Sequence, residues 1–113
     1  MKKTDKALEN TLVRVLTQVC EESLKSIEGF KWLTHLVDYK DFPRSLTVIC
    51  IFETQDQITA LLHSPQHENL INNIIDRLNG AGIQLPKKHK HIKFDSEDAC
   101  HFEHAGNWNR RLK

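Results

Sequence analysis

Four residues toward the C-terminus have the types and spacing of metal ligands. His89 and His91 lie two apart, which on a strand turns both side chains to one face; Cys100 and His104 lie four apart, which does the same on a helix. Three imidazoles and a thiolate are an acceptable zinc set, and the eight residues between the pairs leave room for them to meet. The competing reading is a pH-sensitive surface of solvent-facing histidines, in a chain that has seven.

A second constellation is basic. Lys87, Lys88, Lys90 and Lys93 follow one another without an intervening acid, and Trp108 precedes Arg110, Arg111 and Lys113. Clustered cations beside an aromatic ring suit phosphates and an unpaired base, so RNA is the partner these residues fit best. Between the two groups stand Asp95, Glu97, Asp98 and Glu103. Residues 87–113 carry seven Lys and Arg against four Asp and Glu, and residues 1–86 nine against eleven. The total, sixteen against fifteen, hides that segregation and excludes both a histone-like polycation and an acidic disordered tail. In the competing reading the lysines form a solvated loop that blunts an edge strand, and Trp108 packs back onto the body.

Catalysis finds little support. There is no GxSxG, P-loop or GxGxxG, and the neighbours Cys100 and His101 diverge on a helix. Cys50 lies mid-strand, while Trp32 and His35 are candidates for lining a pocket. A non-enzymatic protein without a cofactor is expected. Cys20, Cys50 and Cys100 are an odd set without a CxxC pair, which favours reduced thiols. Asp5, Lys6 and Glu9 interrupt any leader opened by Met1-Lys2-Lys3, so a cytoplasmic location is expected. The apolar run Val48–Phe52 falls far short of the roughly 18 residues a spanning helix needs.

These side chains must be positioned by a single small domain, as 113 residues with 39% hydrophobic content allow. Leu8, Leu12, Val15, Leu16, Val19, Leu24 and Ile27 recur at threes and fours and predict a long amphipathic helix, capped by Thr4 and stopped by Gly29. Residues 30–39 and 46–52 read as two strands of a hairpin, with Asp38, Asp41 and Pro43 in the connecting loop. The second strand is apolar on both faces and so should be central. Thr54 and Gln57 form a capping box for a short helix, and Ser64-Pro65 starts another through Leu78 that Gly80-Ala81-Gly82 ends. His91–Phe94 predicts a third strand, and Asp95 or Ser96 caps a last helix to about His104, before Gly106. The expected fold is α+β, with helices on one face of a small sheet. Residues 1–106 form the domain and residues 107–113 a basic, Trp-containing tail.

This order of a long helix, a hairpin, two helices broken at Leu62-His63-Ser64-Pro65 and a final strand resembles the KH-like domain of ribosome-binding factor A over roughly residues 4–94. The resemblance implies RNA contact. The Gly-x-x-Gly loop by which KH domains clamp single strands is replaced here by His63-Ser64-Pro65-Gln66. Gly29–His35 and Gly106–Arg110 also look like those of a small bacterial family labelled Fis-family transcriptional regulators. That label implies DNA binding through a C-terminal helix-turn-helix, whereas this chain closes on a strand, a short acidic helix and a Trp-containing tail. A protein-interaction module is the remaining class, with Trp32, Phe42 and Trp108 as aromatic anchors or the first helix as a homodimer contact.

Overall fold

The structure, a computed structural model, describes residues 3–112. Met1, Lys2 and Lys113, which entered the leader and basic-tail readings, lie outside the described residues. Helix α1 (Lys3–Ser26) buries Leu12, Val15, Leu16 and Val19, as its periodicity predicts. The stripe continues through Ser23, four residues after Val19, and not through Leu24, which sits a further 100° round the helix and is half exposed. Thr4 lies inside the helix and does not cap it.

Strand β1 (Phe30–Leu36) pairs antiparallel with β2 (Thr47–Phe52), and β3 (Ile92–Ser96) pairs with β2 in parallel, giving the order β1-β2-β3. The parallel pairing requires a crossover, and α2 (Gln55–Leu62) and α3 (Gln66–Gly80) supply it. Their starts follow the sequence signals. The Thr54 hydroxyl accepts from the Gln57 backbone N–H while the Gln57 side chain accepts from that of Thr54, and the Ser64 hydroxyl accepts from the Gln66 N–H at 3.1 Å. Ser96 caps α4 (Glu97–His104), and Asn107 caps a final turn, α5 (Trp108–Arg111). The α+β fold and its element order are as expected.

Alternation along β2 divides the interior in two. Val48, Cys50 and Phe52 join the main core with α1, α2 and α3, whose buried residues include Leu12, Leu61, Ile74 and Leu78. Ile49 and Ile51 point the other way and are 5% and 0% exposed. Their cover is the α4–α5 pair. Residues 107–112 of the segment read as a tail fold back on the second face, because two buried isoleucines, at about 1.5–3 kcal/mol each, reward whatever shields them.

Gly29 shows how closely the elements approach. Its φ of +83° is in the left-handed region, and a Cβ there would overlap the Gln57 side chain that closes the capping box. Gly29→Ala therefore strains the backbone and displaces Gln57 together. We expect a loss of at least about 1 kcal/mol in urea unfolding; unchanged stability would contradict this packing.

Candidate nucleic-acid interface

Residues Pro86–His91 carry the chain from α3 into β3, and a 3-10 turn over Lys88–Lys90 spreads Lys87, Lys88 and Lys90 into solvent. The turn is pinned from beneath. His91 is 5% exposed, its Nδ1–H donates to the Leu46 carbonyl at 2.7 Å, and its own carbonyl accepts from the Val48 N–H. Lys93 follows on β3 in register with Ile49, so it projects from the second face of the sheet. Among the described residues no lysine forms an ion pair.

Arg111 and Trp108 are placed otherwise. The Arg111 guanidinium makes a two-pronged contact with Asp95, Nε to Oδ2 at 2.6 Å and Nη2 to Oδ1 at 2.8 Å. Its Nη1 donates to Glu103 at 2.8 Å, to the Ala99 carbonyl and to Nδ1 of His104. These bonds to Asp95, and then to Glu103, hold the guanidinium more strongly protonated than usual. Trp108 meets Trp32 edge to face, with ring centres 5.1 Å apart. One carboxylate serves both rings: Glu97 accepts from Trp32 Nε1 at 2.6 Å and from Trp108 Nε1 at 3.2 Å. Arg110 is exposed on the same turn and has no carboxylate partner among the described residues. Of the seven basic and aromatic positions, five are thus open to a ligand and two hold α5 to the sheet.

No family model, curated protein or solved structure matches the chain. What can be said of the site therefore rests on its own chemistry.

The zinc set is not assembled. Its premise was a strand carrying both His89 and His91, but β3 begins at Ile92, and the turn before it sends the two rings apart. His89 faces solvent against Glu68 at 3.1 Å, whereas His91 spends its Nδ1–H on Leu46 inside the fold. Cys100 is buried under α4, and His104 accepts from Arg111. Among the described residues no three His, Cys, Asp or Glu side chains converge as metal ligands. The two buried thiols are poor nucleophiles too: burial pushes Cys50 up to about 12 and also raises Cys100.

Other positions depart from the sequence reading. Trp32, Phe42 and Trp108 are only partly exposed, while Phe102 on α4 is 90% exposed. Trp32 and His35, read as candidates for lining a pocket, each border a shallow hollow, on opposite faces of β1, and His35 Nε2 and the Tyr39 hydroxyl both meet the Glu9 carboxylate of α1. The retaining role of Asp95 and Glu97 has a sequence signal in retrospect. Two acids bracket a strand end whose central neighbour is apolar on both faces, and a cover for the second face needs anchors there.

Asp98 joins the pair to the rest of the fold. Its carboxylate accepts from the Ser96 hydroxyl and from the backbone N–H groups of Gln55 and Ala99, and these bonds hold it below the usual carboxylate range. A depressed carboxyl contributes stability above its unfolded pKa of about 3.9 and loses it as pH falls. Stability scanned from pH 6 to pH 2 should fall less steeply in Asp98→Asn than in the wild type; parallel curves would refute the assignment. Arg111→Met should release α5, shifting tryptophan emission to the red and lowering the melting temperature, whereas Arg110→Met should do neither.

Proposed function

We propose that this is a non-enzymatic, cytoplasmic accessory or regulatory protein that contacts RNA through Lys87, Lys88, Lys90, Lys93 and Arg110. The observation that carries the reading is the lysine turn: three exposed ammonium groups within four residues, without a carboxylate partner among the described residues, on a backbone anchored by the buried His91. Such a rigid cationic edge gains free energy by releasing counterions from a phosphate chain without first having to break ion pairs. A KH-like topology is in keeping with the helix-hairpin-helix-helix-strand order and the mixed sheet. The α2–α3 junction, His63-Ser64-Pro65-Gln66, has no Gly-x-x-Gly clamp, so the phosphate contact is assigned to the lysine turn and not to the helix pair.

A protein-binding module is favoured by one observation, the nearly full exposure of Phe102. In that reading a nuclease-resistant partner is lost on Phe102→Ser.

For RNA, a labelled single-stranded oligomer should bind at low salt, with log affinity falling linearly against log salt. Replacing Lys87, Lys88 and Lys90 by Ala should weaken binding and make that slope shallower by about 2, at roughly 0.7 per lost phosphate contact. Absence of binding at low salt would overturn the proposal.

A further inference from the structure

The second face of the sheet is only partly covered. Register sets its side chains in rows: Trp32, Ile51 and Asp95; then Thr34, Ile49 and Lys93; then Leu36 and Thr47. Trp108 and Arg111 close the first row. Beside α5 the other two rows border two adjoining hollows of about 260 and 320 Å³ that share Leu36 and Leu112, with Ile49 at the base almost wholly buried. Three strands spaced about 4.8 Å apart and two rows about 7 Å apart make a bay roughly 10 Å across.

We propose that this bay receives unpaired bases of the RNA strand whose phosphates lie on the lysine turn; the inference rests on the RNA reading above and adds the route of the strand. The bay's rim carries the charge that a polyanion requires. Lys93 stands on its β3 side, and the lysine turn leads directly into that strand. Its floor supplies what a base requires: the exposed Leu36 and the edges of the Trp32–Trp108 pair for ring contact, and Thr34, Thr47 and Asn109 for polar edges. Among the described residues Asp95 is the bay's one carboxylate, and its paired contact with Arg111, a charge shared with Glu103, lowers its repulsion of phosphate. A bay this shallow, between a sheet and a short helix, admits a splayed base and not a duplex, which commits the occupant to a single strand, RNA in the reading above.

The only two tryptophans of the chain both border the bay, so their emission reports its occupancy. The intact protein is titrated with a fluorescein-labelled decauridine, reading anisotropy for affinity and tryptophan emission for contact. Quenching that saturates with the anisotropy is expected, and Leu36→Asp should lower affinity about tenfold with unchanged circular dichroism. Thr47→Glu, in the same row, is a second variant should Leu36→Asp fail to fold. Binding that depends on Lys87, Lys88 and Lys90 but ignores both bay variants and leaves the emission unchanged would overturn the bay and leave the lysine reading standing. No binding at low salt would remove both. A deoxyuridine decamer that binds equally well, or a protein partner lost from the Leu36→Asp variant, would overturn the assignment to RNA.

Discussion

Strand β2 has no face it can leave to water. Val48, Cys50 and Phe52 on one side and Ile49 and Ile51 on the other are all buried, and the strand is paired along both edges. A central strand of this kind imposes two requirements at once, a cover for each face and a partner for each edge. Helices α1, α2 and α3 meet the first on one side. On the other, the only available material is the short α4–α5 pair, too small to bury much area, and the polar contacts around it follow from that shortage.

Those contacts explain the distribution of charge. A pair of short helices with a single fully buried apolar residue in α4, Cys100, and none in α5 gains little from apolar packing. It is held instead by Arg111 on Asp95 and Glu103, by Glu97 between two indoles and by Asp98 across to α2. The alternation of basic, acidic and basic residues in the last quarter of the chain is therefore largely an internal arrangement, in which the acids bind elements of the same molecule. The lysines are what that arrangement leaves over. Lys87, Lys88 and Lys90 sit on the connection into β3, away from those carboxylates, and their exposure is a by-product of where the acids were needed.

Much of this was legible in the residue pattern, for local reasons. Capping at Thr54 and Ser96, the break at Ser64-Pro65 and the central position of β2 depend on short-range chemistry that a few adjacent residues define. The errors arose where one residue of register decides an outcome. Leu24 and Ser23 exchange roles by one step round a helix, and His89 and His91 part because residues 88–90 form a 3-10 turn and the strand begins only at Ile92. The candidate site was harder still. The same Arg-rich composition describes a free Arg110 and a fully engaged Arg111, and only the long-range position of Asp95 separates them.

The parallel pairing of β2 with β3 also sets an order of events in folding. The β1–β2 hairpin closes a short connection, whereas Val48 meets Ile92 only after the whole α2–α3 crossover has been gathered in. Loop-closure entropy thus weighs on the third strand, and with it on everything β3 carries. The lysine turn, the seat for Arg111 and the shelter over Ile49 and Ile51 all wait for that single long-range contact. Until it forms, the hairpin presents two isoleucines and an unpaired edge to its surroundings, which makes completion of the sheet the passage at which a growing or refolding chain is most open to wrong association.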